Sequence, residues 1–516
     1  MDNISLSGTF ICGTLLAVVL YPIFSRAKLP LPPGPRKLPG IGNLFDIRGR
    51  RIWEACMEWS RKYDSDIIHL NLAGTSFIVL SSIKATEDLL ERRSSIYSDR
   101  PAFPMFELME WDFSLGLHGH YCEMIQCNTR RRTQRRLFNQ HLNVTASQQF
   151  QPRERAAAHS LIRRLLDTPE AFLTHNRLLA GEIILPITYG VDVQPVNDPN
   201  VDLAEKMVQA VKQAVSGRFL LDFLPFLKYV PEWVPGAGFQ KIAREGRVLV
   251  HALTNVPFAE VERQIADGQA RPSFTANSLR DIEVGPRYYD AHTVKEVAAM
   301  MYAAGADTTV SALSTFFLAV LANPDAQKKA QMEIDSVVGH GNLPDFCDQE
   351  AMPYVTALVK EVLRWNPVAP FGLPHFLQVE DEYRGFKLPA NSLVVGNVWA
   401  ILHDEKIYPD PYLFNPERFI LNGKLNPAVP DPQAVFGFGR RIYPGKHLAA
   451  SSLWIAIASV LAVFDITKKI GQDGQVIEPS YEYDSDIISS PLPFECSIRP
   501  RSLTAEQLIR DTADSV

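Results

Sequence analysis

Apolar positions along this chain fall into three textures, each implying a different kind of element. Residues 4–24 carry no charge and are rich in Leu, Val and Ile, about the length a helix needs to cross a bilayer core. Around Ile68, Leu70 and Leu72 apolar residues alternate, and a short apolar run follows at 77–80; together they predict a small strand-rich lobe. From residue 88 to about 363 helical spacing dominates, and within it the alanine-rich apolar run 294–321 reads as a buried helix. Another apolar helix is predicted over 448–464, a short strand near 393–395 and a last hairpin over 481–498. The stretch 219–227 is strongly apolar and precedes Trp233 and Pro235; its simplest reading is core packing. The whole is mainly α with a small β-rich lobe, an α+β architecture. No repeat or low-complexity linker interrupts it past the N-terminal region, which favours one large unit over several domains.

Composition changes this picture little. The chain has 516 residues, 46% hydrophobic and 21% charged, ordinary for a globular protein. A net charge of −6 gives no support for nucleic-acid binding. Cys12, Cys56, Cys122, Cys127, Cys347 and Cys496 are scattered and do not read as a secreted disulfide framework. Asp2 precedes the first apolar segment, and Arg26, Lys28, Arg36 and Lys37 follow it, a bias that places the remainder on the cytosolic side of a membrane. A cleaved signal peptide is the competing reading, but basic residues are missing ahead of the segment. A stiff proline hinge, Leu29-Pro30-Leu31-Pro32-Pro33-Gly34-Pro35, also follows directly. The expected organisation is a transmembrane anchor over residues 1–25, a proline-rich hinge over 26–44 and one domain over 45–516.

The chemistry concentrates in Phe436-Gly437-Phe438-Gly439-Arg440-Arg441-Ile442-Tyr443-Pro444-Gly445. Gly437 and Gly439 allow backbone conformations other residues resist, and Pro444 suits a helix's first turn. Free amides at that helix start, with Arg441, make a field that stabilises an anion just ahead of the helix. The segment resembles the haem-binding loop of the cytochrome P-450 superfamily, F-x-x-G-x-R-x-C-x-G, at Phe436, Gly439, Arg441 and Gly445. Tyr443 stands where that pattern has the cysteine ligand of iron.

Three further segments resemble the same family, in its order. Ala304-Gly305-Ala306-Asp307-Thr308-Thr309 resembles the oxygen-binding helix, with Asp307 and Thr308 as the acid–alcohol pair that delivers protons. Glu361 and Arg364 lie three apart, on one helix face, and resemble the E-x-x-R pair. Pro416-Glu417-Arg418-Phe419 resembles the loop whose arginine, Arg418, completes a network with that pair. Singly these are weak signals: a Glu and Arg at this spacing is usually a solvated surface pair, and a mid-helix threonine usually bonds its own backbone. Four in order identify the chain as a member of the family. One stretch departs from it. In Arg130-Arg131-Arg132-Thr133-Gln134-Arg135-Arg136, Arg135 matches the arginine of a W-x-x-x-R pattern that reaches a haem propionate, but Arg131 occupies the tryptophan position. Just upstream, His118, His120, Cys122 and Cys127 carry zinc-binding atoms at a spacing typical of no zinc fold; a divergent loop is the plainer reading.

The resemblance implies a haem-dependent monooxygenase that inserts one atom of O2 into an apolar small molecule. Electrons would come from NADPH through a separate reductase, with cytochrome b5 as a further donor, docking on the basic face of residues 130–136, Arg440, Arg441 and Lys446. It also implies the endoplasmic reticulum membrane, a domain facing the cytosol, and substrate walls over 103–117, 219–226, 299–303, 368–373 and 489–492. Asp381–Tyr383, His403-Asp404 and Pro416–Phe419 look most like fungal microsomal members, a setting of secondary metabolism or xenobiotic oxidation. Tyr443 leaves three readings open: an ordinary monooxygenase changed at one residue, a catalytically silent binder of apolar ligands, or a tyrosinate-ligated haem protein with peroxidase-like chemistry.

Overall fold

The computed structural model describes residues 29–111, 113–117, 125–215, 220–222, 224–285, 287–484 and 487–513; the expected anchor over 1–25 lies outside them, as do His118, His120, Cys122 and the side chain of Cys127. What is described of the hinge is extended and stitched to the domain, with His69 N donating to Pro33 O at 2.9 Å and Lys387 N to Pro30 O at 2.8 Å.

The longer elements, in chain order, are α1 (Ile52–Lys62), β1 (Ile67–Leu72), β2 (Thr75–Leu80), α2 (Ile125–Leu142), α3 (Gln151–Asp167), α4 (Phe172–Tyr189), α5 (Pro199–Val215), α6 (Gly238–Ala266), α7 (Phe274–Val284), α8 (Ala291–Ala322), α9 (Pro324–Val338), α10 (Pro353–Trp365), β3 (His375–Leu377), β4 (Ser392–Gly396), α11 (Lys446–Val463), β5 (Phe464–Lys468), β6 (Cys496–Pro500) and α12 (Leu503–Asp511). β1, β2, β4 and β3 form one mixed sheet in that order. β2 and β4 run parallel, with Phe77 opposite Leu393 and Leu80 opposite Gly396. The alternation at Ile68, Leu70 and Leu72 does mark a strand, but both its faces are covered. His69 is 2% exposed and bonds Ser76 Oγ through Nε2 at 2.9 Å.

α8 is capped by Asp290, whose Oδ1 accepts from Thr293 N at 2.8 Å, and passes unbroken through Gly305. It packs against α4, α5, α7, α2 and α11 and is the axis of the molecule. α8 and α11 are long and apolar enough to cross a membrane, yet both are mostly buried inside the domain; each is a core helix by its packing. Two expectations need correction. β6 does not pair within a hairpin over 481–498. It pairs antiparallel with β5, Cys496 opposite Lys468, and a smaller hairpin closes at Tyr483 and Pro491. The segment after 219 is core only in part: Leu221 is 1% exposed and joins the main apolar cluster with Leu227 packed against it, whereas Phe226 is 64% exposed and Trp233 83%.

Where α3 crosses α11, Glu154 is fully buried and accepts at Oε1 from Ser451 Oγ (2.6 Å) and Ser452 Oγ (2.7 Å). Its Oε2 has no partner among the described residues. Burial pushes this carboxyl up to about 7 from an ordinary 4.5. A pKa raised in the folded state favours the protonated fold, so stability from this group is full below pH about 4.5 and is lost as pH rises toward 7. Glu154→Gln should flatten that decline and raise the urea midpoint at pH 8; an unchanged pH profile would mean the carboxyl is already solvated.

Candidate functional site

The middle turn of α8 differs from the rest of its length. Residues 303–308 are partly uncovered, whereas Val297–Tyr302 and Thr309–Leu321 are buried. Two recesses meet that turn, one at Gly305 and Thr308 and another at Ala306 and Asp307; the first is an internal cavity beside Tyr443. Gly305, Thr308 and Thr309 line it from α8, Phe138 from α2, and Leu448 from α11. Tyr443 and Gly445 form its floor. Thr308 Oγ1 donates to Ala304 O at 2.9 Å, leaving its oxygen able to accept on the cavity side. Asp307 faces the other way, into a cleft beside Arg177, Glu205 and Tyr302. Its Oδ2 has no partner among the described residues. Burial raises its pKa, with Lys212 and Arg177 opposing and Asp484 and Glu205 assisting. The acid and the alcohol therefore sit on adjacent residues but open onto opposite sides of the helix.

The loop before α11 is held by its glycines. Gly437 and Gly439 have φ of +81° and +53°, and a Cβ on Gly439 would lie 2.0 Å from Leu90 O. Gly439→Ala combines a left-handed backbone with a clash against main chain, so it should cost about 3 kcal/mol or more, read as a lowered urea midpoint with lost cofactor binding. A tolerated alanine would mean the loop can move away from residues 87–92. Tyr443 N donates to Phe436 O at 2.7 Å, closing the loop. α11 begins only at Lys446, with Gly445 at its N-cap; Pro444 precedes the helix instead of opening it. The phenol lies back over Gly445, where an added Cβ would sit 2.8 Å from Oη. Tyr443 is deep in the protein and its uncovered area faces the cavity. Burial pushes its pKa up to about 12. The loop's cations do not offset that burial, contrary to the field expected from the sequence.

A second recess adjoins the loop. Arg131 and Arg135 of α2, Arg440 and Arg441 line it with Asp99, and Arg100 lies buried beside it. Arg135 Nη2 donates to Ile442 O at 3.0 Å. Arg441 donates from Nε to Ser98 O (2.6 Å) and from Nη1 to Leu115 O (3.0 Å). Arg100 donates to the carbonyls of Gly116, Leu373 and Pro374. Burial lowers all four inner guanidiniums, Arg441 to about 8 with further repulsion from Arg100, Arg131 and Arg135. Arginine does not give up its proton, so these groups stay charged, with Asp99 the carboxylate acting on Arg100, Arg131 and Arg441. Arg100 was not legible as a site residue: it sits in Ser98-Asp99-Arg100-Pro101 with no periodic signal around it.

Away from the cavity, Glu361 and Arg364 are 0% exposed. Arg364 grips Glu361 with two bonds, 2.7 and 2.8 Å, and Arg418 Nε donates to the same carboxylate at 3.2 Å. The structure thus brings the three residues together. Two pairs of the nominated wall segments touch: Leu115 N meets Met300 Sδ at 2.8 Å, and Ser489 N donates to Val368 O at 2.8 Å.

The arginine recess and the cavity at Tyr443 both border the loop of residues 436–445 but share no lining residue; the recess carries charge suited to the two propionates of a haem, whereas the cavity, walled by α2, α4, α8 and α11, is too small for its ring. At position 443 the chain offers a phenol and no thiolate. The sequence pattern described as Cytochrome P450 matches residues 32–495, and the chain belongs to that family. It is 43% identical over 515 residues to cytochrome P450 monooxygenase 98 of Postia placenta, covering 98% of this chain and 97% of that one. It is also 43% identical over 490 residues to cytochrome P450 monooxygenase ple1 of Rhodocybe pseudopiperita, covering 94% and 92%. Tryptamine 4-monooxygenase of Psilocybe cyanescens is 38% identical over 480 residues, covering 92% and 93%.

Proposed function

We propose that this chain is built for oxygen insertion into an apolar small molecule, with Tyr443 limiting its turnover. Haem, when bound, supplies reductive activation of O2, with electrons from NADPH through a reductase and with cytochrome b5 as a further donor. The chain's own residues do the rest. Arg131, Arg135 and Arg441 would hold the carboxylates of the ring, and Gly439 lets the loop approach residues 87–92. Thr308 presents an acceptor oxygen to the cavity. Asp307, with its raised pKa and its cleft toward Arg177 and Glu205, moves protons in from the far side of α8. Phe106, Leu115, Val368 and the apolar face of α8 exclude water and orient the substrate. Glu361, Arg364 and Arg418 hold α10 against the loop ahead of the cofactor segment.

The observation that carries this reading is Gly305 and Thr308 of α8 facing Tyr443 and Gly445 across one cavity. Location at the endoplasmic reticulum membrane is supported by the apolar segment 4–24 and by exposed Phe226, Tyr229 and Trp233. A catalytically silent binder is favoured by one observation, the phenol packed over Gly445. The reduced, CO-bound absorption spectrum of full-length protein, its mass verified at Tyr443, separates them. A band at the position of oxygen- or nitrogen-ligated haem, together with slow substrate oxidation, is expected. Haem bound with no oxidation of any apolar substrate establishes the silent binder, and no haem bound removes the proposal.

A further inference from the structure

We propose that Ser95 is a phosphorylation site, taking a phosphoryl group from ATP through a protein kinase that reads two arginines ahead of its acceptor, and that the phosphate seats on the rim of the arginine recess. Such a site is independent of any bound cofactor. Two observations carry it, one in the sequence and one in the fold.

Arg92-Arg93-Ser94-Ser95 places arginines three and two residues ahead of Ser95, a spacing that the acidic substrate cleft of a basophilic kinase selects by charge complementarity. Ser95 is exposed. It lies in the one-turn helix Ser94–Tyr97, and so short a helix has little to lose on being drawn out. Arg92 and Arg93 stand at the surface, paired with Asp88 at 3.2 Å and Asp381 at 2.7 Å, and Arg93 also donates to Glu382 O at 2.7 Å. Surface pairs of this kind are worth little in water, so both side chains can be recruited. The neighbouring acceptors are worse placed. Ser94 is buried. Thr133 follows Arg130 and Arg131 at the same spacing, but it is partly covered in the middle of α2, and Arg130 grips the buried Glu296.

In the fold, Ser95 lines the recess of Arg131, Arg135, Arg440 and Arg441, and Arg132 lines it too. Among the described residues, these five arginines face the single carboxylate of Asp99. That acid already accepts from Arg100 N at 2.9 Å and Gln378 Nε2 at 2.8 Å. Arg132 and Arg440 are exposed, as Ser95 is, and neither has an ion pair among the described residues. Both repel Arg131. They are also distinct from the three guanidiniums assigned to the ring carboxylates. The transfer forms a bond between the γ-phosphorus of ATP and Ser95 Oγ and breaks the bond from that phosphorus to the bridging oxygen, which leaves with ADP. The hydroxyl proton passes to the kinase's catalytic carboxylate. The product carries about −1.5 to −2 charges at pH 7 and three acceptor oxygens, so it turns repulsion on the rim into charge-assisted hydrogen bonds. It also sets negative charge on the basic face expected to meet an acidic electron donor, and so would slow electron delivery without disturbing the core.

The test incubates purified full-length chain, in detergent micelles, with MgATP and the catalytic subunit of cyclic-AMP-dependent protein kinase. Mass spectrometry is expected to find phosphate on Ser95, lost in Ser95→Ala. Phosphorus NMR of the product then follows the second ionisation of the phosphate, ordinarily near pH ~6. Guanidiniums favour the dianion, so in the folded chain the midpoint should fall by at least ~0.5 pH unit. In the double variant Arg132→Gln, Arg440→Gln it should return to the ordinary value, with far-UV circular dichroism confirming the fold. Incorporation only at other residues, or none in the folded chain, overturns the proposal at the acceptor. Phosphate on Ser95 that titrates as it does in the urea-unfolded chain, or with a midpoint untouched by the double variant, overturns it at the recess. Neither failure touches the cofactor reading, which the absorption spectrum tests separately.

Discussion

Tyr443→Cys is expected to convert this chain into a haem-thiolate protein, with a red-shifted Soret band in the reduced CO complex and reductase-dependent oxidation raised by roughly 10²–10³-fold. That range is what one well-placed electrostatic contribution to a transition state is worth. The reason is local. A sulfur at this position lies ahead of α11, where the helix N-terminus favours an anion, and a thiolate donates electron density that a phenol lacks. The surroundings already fit: Gly439 and Gly445 are in place, Arg135 holds Ile442 O, and Tyr443 N closes the loop on Phe436 O. Removing the ring also opens space in the slot, so the cofactor-free variant should lose about 1–3 kcal/mol of stability and recover it on loading. If the cysteine variant binds haem but shows no red-shifted band, the fault lies deeper, and α2 with Arg131 is the place to look.

Arg364→Met should destabilise the fold by about 3–5 kcal/mol, because it leaves Glu361 as a buried carboxylate with Arg418 as its one cation. The two residues are fully buried and doubly bonded. Glu361 also accepts from Asn415 N at 2.7 Å, so the carboxylate ties α10 to the segment before Pro416–Phe419. Arg364 in turn donates to Leu402 O and Leu413 O. Glu361→Gln should cost less than Arg364→Met, since an amide oxygen can still accept from Asn415 N. The double variant should cost clearly less than the sum of the two, the signature of a coupled pair. Urea denaturation of all four proteins closes the cycle; additive costs would show that the pair contributes no mutual attraction and that each side chain acts through its backbone contacts alone.

Much of this was legible in the sequence where the signal is local. α8 and α11 announce themselves by long apolar runs, and Glu361 and Arg364 by a spacing that puts them on one face. The glycines of the loop 436–445 were legible, but Pro444 precedes the helix it was expected to open. What the sequence hid was assembled across distance. The recess draws on Arg131, Arg135, Arg440 and Arg441, whose segments look like solvated charge runs until they converge. The pairing of β5 with β6 was missed because hydrogen-bond partners leave no period in either strand. The exposure of Phe226 and Trp233 was missed because an apolar run reads as core unless the surface beneath it is known. Asp307 was found, but its orientation away from the cavity was not, since helical position alone leaves open which neighbouring cleft its carboxylate enters.

The parallel pairing of β2 with β4 has a consequence for how the protein is made. Phe77, Ile78, Val79 and Leu80 find their partners on Leu393–Gly396, roughly 300 residues further along the chain. At ribosomal rates of about 5–20 residues per second, the apolar edge of β2 waits roughly 15–60 s for its neighbour to emerge. An open strand edge of this kind is a template for pairing with the wrong chain. Synthesis of this protein should therefore depend on chaperones that cover its first hairpin, and its yield should improve when elongation near the 3′ half of the message is not slowed.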